Sequence, residues 1–179
     1  MSASEELGFA GRALELRAAF DRAFARAPLT AREADEDFLS IRLASDRYVL
    51  RLAEVAGLFA DRAVTPLPTS APGFRGLAGF RGAVLPVYEL RALLGYPPGE
   101  GSRWLVTAQG APLAFAIDAF EGHMRTPRSA VAALAQAGST RQHVREVLHT
   151  GGLQQPIVQL GSVCQEISRG VAARAHLGG

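Results

Sequence analysis

The spacing of apolar residues divides the chain into a short N-terminal segment with a helical period and a longer segment with a strand period. Residues 2–27 contain no proline, and large apolar side chains recur there every three or four positions. Ser2 and Glu5 form a possible capping box before this stripe, and Pro28 follows it. The pattern predicts an amphipathic helix with an apolar stripe made of Phe9, Ala13, Leu16, Phe20 and Phe24.

Two interpretations of this stripe are open at the level of sequence. In the first, the stripe packs against its own domain, as amphipathic helices usually do. In the second, Phe9, Leu16, Phe20 and Phe24 form an additional interaction surface for a partner or for self-association with a second copy of the chain.

Beyond the acidic stretch 33–37, which we interpret as a linker, the apolar period shortens to two. Residues 39–43 alternate apolar and polar side chains, and turn residues separate them from a second apolar run at 48–52, which predicts a β-hairpin. Further short runs, mostly separated by glycine and proline, lie at 84–88, 104–107, 113–117, 144–148 and 157–160. Because few helices separate the runs, the pattern favours a mainly β fold, a small barrel or sandwich, over a parallel α/β sheet.

The remaining helical patterns are short. They cover a turn at 89–94, a stretch at 129–137 and the tail at 162–176, where Ser162 is a suitable N-cap. The glycine-rich break at 95–101 is the expected boundary between two lobes. We therefore predict a helical extension and linker at 1–36, a β domain at 37–170 and a C-terminal tail at 171–179.

Composition and charge exclude several classes of protein. All 19 basic residues are arginines, scattered among 17 acids, and the formal net charge is +2. Nucleic-acid binding usually needs a clustered basic surface, which this distribution lacks. No stretch is long and apolar enough for a membrane span, and residues 1–7 do not resemble a signal peptide. Together with the single Cys164, these features predict a cytoplasmic protein without membrane insertion.

Candidate catalytic or metal-binding residues are few. Cys164 lies among apolar neighbours in a predicted helix, as a buried structural thiol would. The four histidines lack the spacing of a zinc site, and the glycine-rich stretch 73–82 lacks the lysine and long helix of a phosphate loop. We therefore expect that the protein is not an enzyme and that it binds neither a cofactor nor a metal. A small-ligand-binding or enzymatic β-barrel is the alternative of another class, and a deep polar pocket lined by His123 or Asp118 would favour it.

The most informative segment runs from Thr65-Pro66-Leu67-Pro68 to Gly95 and contains GLAGFRGAVLPVYELRALLG at 76–95. This segment resembles the core of the CheW family, the adaptor domain of bacterial chemosensory arrays, whose members usually show GxxNLRGxxxPVxDLR. The likeness covers about residues 37–170. It implies two small five-stranded SH3-like β-barrels side by side, to which the N-terminal amphipathic helix and the C-terminal helix are added.

The resemblance also implies a function without catalysis. Members of the family couple chemoreceptors to a CheA-type histidine kinase. They bind the regulatory domain of the kinase through one lobe and the cytoplasmic tip of a methyl-accepting chemoreceptor near the groove between the lobes. Gly76, Arg81 and Gly82 fall on the family motif. With Val55 and Leu58, they are the expected partner-binding residues.

The chain departs from the family pattern at four positions. Gly79, Phe80 and Glu89 replace the usual Asn, Leu and Asp, and Gly57 stands where members commonly have a glutamate. We expect Arg81 to lean on that glutamate in other members. Here it either pairs with another acid, such as Glu54, or stays free for the carboxylate of a partner. The alternative within the family is a divergent paralogue, in a motility or developmental pathway, that binds only one of the usual partners.

Overall fold

The computed structural model describes residues 34–69, 71–99, 102–134 and 142–177. The predicted N-terminal helix and its apolar stripe lie outside these residues. In chain order the strands are β1 (Asp35–Leu43), β2 (Asp46–Arg51), β3 (Val55–Ala60), β4 (Phe74–Phe80), β5 (Ala83–Glu89), β6 (Trp104–Ala108), β7 (Ala114–Ile117), β8 (Ala119–Pro127), β9 (Val131–Ala133), β10 (Val144–Thr150) and β11 (Leu153–Val158). The helices are α1 (Leu90–Leu93) and α2 (Leu160–Leu177), and 3₁₀ turns lie at Leu52–Glu54 and Arg128–Ala130.

The strands form two sheets, and each sheet with its loops makes one lobe. The first lobe has the order β8-β1-β2-β11-β10-β9, and the second has the order β3-β6-β7-β5-β4. Neighbouring strands are antiparallel except for the pairs β2–β11 and β5–β7. The predicted fold class, mainly β with two sheets side by side and a C-terminal helix, is confirmed. The first sheet has six strands rather than five, because the three-residue β9 pairs with the edge of β10.

Four sequence expectations differ from the structure. The C-terminal helix begins at Leu160, so Ser162 lies inside it rather than at its N-cap. The break at 95–101 is not a boundary between lobes, because the chain enters the second sheet after β2 and returns to the first at β8. Residues 131–133 of the predicted helix at 129–137 form β9, since the backbone hydrogen bonds to β10 outweigh the helical preference of alanine. β1 begins at Asp35, inside the acidic stretch that we interpreted as a linker.

The two lobes share one hydrophobic core. β1 and β2 contribute side chains to it from the first lobe, β6 and β7 contribute from the second, and α2 covers one side. Its largest fully buried members include Leu43, Tyr48, Leu50, Phe115, Ile117 and Leu160. Cys164 of α2 lies in this core as predicted, and burial raises the pKa of its thiol to about 11. Phe38 and Val49 belong to a separate small cluster, on the opposite face of the first sheet.

Candidate functional site

All five residues predicted to bind partners lie in the second lobe. Gly76 is in β4, Arg81 and Gly82 form the turn between β4 and β5, and Val55 and Leu58 are in β3. β3 and β4 are the two edge strands of this sheet. The edges approach each other where the rings of Phe59 and Phe80 pack edge to face, with centroids 5.0 Å apart. The sheet therefore curls until the arginine turn lies beside β3.

Gly76 is a buried backbone position rather than a contact residue. Its φ is +140°, and a Cβ there would lie 2.1 Å from the carbonyl oxygen of Thr65. The backbone of Thr65 pairs with Leu77, with N–H···O distances of 2.8 Å from Thr65 N and 2.9 Å from Leu77 N. No side chain fits between these segments. Gly76 thus holds the segment preceding β4 against the sheet and shapes the surface indirectly.

The turn at Arg81 and Gly82 has the geometry of a two-residue hairpin. Phe80 pairs with Ala83, and φ is positive at both central residues, +46° at Arg81 and +86° at Gly82. Tight hairpin turns of type I′ need this conformation, which glycine adopts freely. An arginine there costs roughly 1–2 kcal/mol. Arg81 is therefore held, exposed, in a conformation that its own residue type disfavours.

Arg81 packs on an aromatic ring. Its guanidinium carbon lies 5.8 Å from the centroid of Phe59, and that of Arg62 lies 5.5 Å from the same ring. Among the described residues neither guanidinium has a carboxylate within 4.0 Å. The neighbouring Asp61 pairs instead with Arg103, at 3.0 Å between Oδ1 and Nε. We call Phe59, Arg62, Arg81 and Gly82 the turn surface.

The structure accounts for the glycine at position 57. A Cβ on Gly57 would lie 2.8 Å from Cε2 of Phe59, so the Phe59 ring would have to move to admit a side chain. The Phe59 ring thus occupies space beside position 57, where members of the family commonly have a glutamate, and Arg81 packs on that ring. Val55 and Leu58 are half-buried and pack against the shared core. They support β3 beneath the turn surface.

The suggested pairing of Arg81 with Glu54 is wrong. The Glu54 carboxylate accepts hydrogen bonds from the backbone N–H groups of Leu160 and Gly161, each at 3.2 Å. Those groups belong to the first turn of α2, whose positive end favours an acid. Glu54 therefore ties the crossover between the lobes to the C-terminal helix.

Sequence reasoning missed Arg62 and Phe59. Arg62 follows an aspartate, which suggests a solvated pair, and Phe59 is indistinguishable in sequence from a core residue. The signal that could have identified them is the glycine at position 57, which leaves room for a large neighbour on the same strand.

His123, His143 and Asp118 have structural partners. Asp118 accepts a hydrogen bond from Ala44 N at 2.6 Å and one from Arg91 at 3.1 Å, and His123 pairs with Asp37 at 2.9 Å. Buried His143 contacts Ser162 and Glu166, and burial lowers its pKa. The described residues contain no group of three or more potential metal ligands. No helix among them is long and apolar enough to cross a membrane.

The protein is thus a two-lobed β domain whose lobes share a core. The second lobe is inserted in the chain of the first and carries an arginine–glycine turn at its surface. The family model described as the CheW-like domain matches residues 37–167, well over half of the chain. The chain belongs to this family.

One solved structure similar to this chain is that of the scaffolding protein TtCheW from Thermoanaerobacter tengcongensis. The match has a TM-score of 0.64 and 17% sequence identity, and it covers 70% of this chain and 90% of that one. At this identity the likeness establishes the fold. No curated protein matched the chain.

Proposed function

We propose that this chain is a non-catalytic, cytoplasmic adaptor that couples chemoreceptors to a CheA-type histidine kinase. Membership of the CheW-like family supports this function. The observation that carries the proposal is the turn surface, where the guanidiniums of Arg62 and Arg81 lie over one ring without an ion-pair partner in the described part of the chain.

The chemistry of the turn surface suits recognition of a carboxylate. Two guanidiniums near one ring repel each other, and an anion placed between them removes that repulsion. Arginine and aromatic residues are also enriched among the residues that dominate binding energies at interfaces. A planar guanidinium can bind a carboxylate through two parallel hydrogen bonds. Val84 on the same hairpin is 67% exposed and offers an apolar contact beside the charges.

Charge reversal at the turn tests the proposal. Arg81→Glu is expected to weaken binding of the kinase regulatory domain or of the receptor tip by about tenfold or more, the loss of one strong charge-assisted contact. The melting temperature should change little, because among described residues Arg81 has no ion pair to lose. Binding is measured by calorimetry against each partner fragment separately. Arg128→Glu, at the exposed turn after β8 of the first lobe, is the matched control, because Arg128 also has no ion pair among the described residues.

The outcomes separate the parts of the proposal. If the unmodified protein binds neither fragment, the adaptor function is refuted. If it binds but Arg81→Glu has no effect, the turn surface is not the contact. A large loss of stability in Arg81→Glu would show that Arg81 is structural.

A divergent paralogue that binds only one partner is the second candidate within the family. This candidate is favoured by Gly57, which replaces the family glutamate and leaves room beside it for the ring of Phe59. Binding of only one of the two fragments would establish this variant. The interaction role of the N-terminal stripe stays a prediction, and deletion of residues 1–30 before the same measurement tests it.

A further inference from the structure

The first lobe contains an open polar recess outside the turn surface, and His123, which the ligand-binding alternative would use, is among its lining residues. The recess has a volume of about 590 Å³ and is lined by Ser40, Arg47, Glu121, Gly122, His123, Met124 and Gln155. This volume is in the range of small-molecule sites, roughly 300–1,000 Å³, and the recess is open to solvent.

The recess lies beside the apolar cluster of the first sheet. Phe38 and Ser40 lie on the same face of β1, because side chains two apart in a strand share a face. Phe38 is fully buried in that cluster with Val49, Leu148 and Ile157. Next to Phe38 on this face, at Ser40, the side chains become small and polar. Ser40 lies opposite Gly122 in the β1–β8 pair.

Two of the lining polar side chains are deeply buried. Ser40 is 6% exposed and Gln155 is 7% exposed. The amide oxygen of Gln155 has no hydrogen-bond partner among the described residues. A buried acceptor left unpaired costs about 1–3 kcal/mol. The side chain of Gln155 is among those that line the recess, and the last torsion of a glutamine is soft.

The rim of the recess carries charges of both signs. The β1–β8 register shifts between Ser40 and Ile41, which leaves Glu121 as an extra residue at the edge. Such bulges are frequent at barrel rims and beside functional sites. Glu121 pairs with Arg47 at 3.1 Å and lies 3.8 Å from Arg42, and His123 pairs with Asp37. The Arg47 side chain is 58% exposed, and its terminal N–H groups remain available beside this pair.

We propose that the recess binds a small zwitterion of the free amino-acid class. The ligand carboxylate binds the guanidinium of Arg47, and its ammonium group binds the carboxylate of Glu121. The two charges of the ligand then alternate with those of Arg47 and Glu121, which cancel each other when no ligand is bound. A polar side chain or amide of the ligand then donates to the carboxamide of Gln155 next to Ser40. The recess lies in the first lobe, whereas the turn surface lies in the second, so this proposal stands apart from the adaptor function.

The test screens free L-amino acids one at a time, at millimolar concentration, against the full chain. Saturable binding by calorimetry and a rise in melting temperature are expected for at least one amino acid with a polar side chain. Backbone amide signals of Gly122 and Gln155 should shift in NMR spectra of the same titration. Glycerol and succinate serve as probes for a neutral polyol and for a simple anion.

Two substitutions locate the binding. A Cβ on Gly122 would meet no atom within 4 Å, and the φ of Gly122 is not in the left-handed region, so Gly122→Val fills the recess without strain. It should weaken binding by about tenfold or more. Gly79→Val, on β4 of the other lobe, meets the same open space and should leave binding unchanged. Gln155→Met should also weaken binding without lowering the melting temperature, because it removes an unpaired buried oxygen.

Each outcome decides the proposal. Binding that Gly122→Val or Gln155→Met weakens, and Gly79→Val does not, supports it. Three results overturn it: no saturable binding of any amino acid, binding that both recess variants leave intact, or binding of glycerol or succinate alone. If Gly122→Val does not fold, Gln155→Met decides alone.

Discussion

Substitution of Gly76 by alanine should be among the most damaging single changes in the second lobe. The added Cβ would meet the backbone of Thr65 at 2.1 Å and that of Pro66 at 2.9 Å, so the two segments must separate. Separation breaks the two hydrogen bonds between Thr65 and Leu77, worth about 0.5–1.5 kcal/mol each. The positive φ adds strain of about 1–3 kcal/mol. The sum is about 4 kcal/mol, or about 10 °C in Tm for a chain of this size.

Two other glycines of the same hairpin separate the causes. Gly82 has φ +86° and open space at its Cβ, so Gly82→Ala should cost only the backbone strain, about 1–2 kcal/mol. Gly79 has open space and no positive φ, so Gly79→Ala should be neutral or slightly stabilising. Urea unfolding of the three variants gives the free energies directly. If Gly76→Ala is no more destabilising than Gly82→Ala, close contact between the backbones is not what requires a glycine at position 76.

Two further predictions concern α2 and its surroundings. Glu54→Ala removes the acceptor for the N–H groups of Leu160 and Gly161, so it should cost about 1 kcal/mol and speed hydrogen exchange of those two amides; unchanged exchange would contradict the capping role. Burial lowers the pKa of His143 below that in the unfolded chain, about 6.5. The unfolded state therefore binds the proton first, and the free energy of unfolding falls as the pH drops below about 6.5. His143→Gln should flatten this fall in urea titrations at neutral and mildly acid pH, and an equal fall in both proteins would exclude His143 as its source.

The sheets of this fold are predictable from sequence because alternation along a strand is a local signal. Residues 39–43 and 48–52 show it, and they form the β1–β2 hairpin. The order of the lobes is not local. β1 pairs with β8, some eighty residues away, and the sequence of neither strand indicates which strand it pairs with. The break at 95–101 therefore falls between α1 and β6, both in the second lobe, although it has the composition of a boundary.

The candidate site divides in the same way. The motif predicted a turn at Arg81 and Gly82, because the conformation of a tight turn depends mainly on the turn residues themselves. Their neighbours Arg62 and Phe59 were missed, because they reach the turn only when the two edges of the sheet approach each other. The partner of Glu54 lies more than a hundred residues away, at the start of α2.

The shared core limits how an adaptor of this shape could pass a signal. β1 and β2 place Leu39, Ile41, Leu43, Tyr48 and Leu50 into a cluster completed by side chains of the second lobe. Burial of one such side chain contributes roughly 1.5–3 kcal/mol. Rotation of one lobe against the other would expose several of them, at a cost on the order of 10 kcal/mol, comparable with the whole stability of a domain. If partners bind on both lobes, as proposed, a change at one reaches the other by displacement of the protein as one body, or by a shift in which partners it holds.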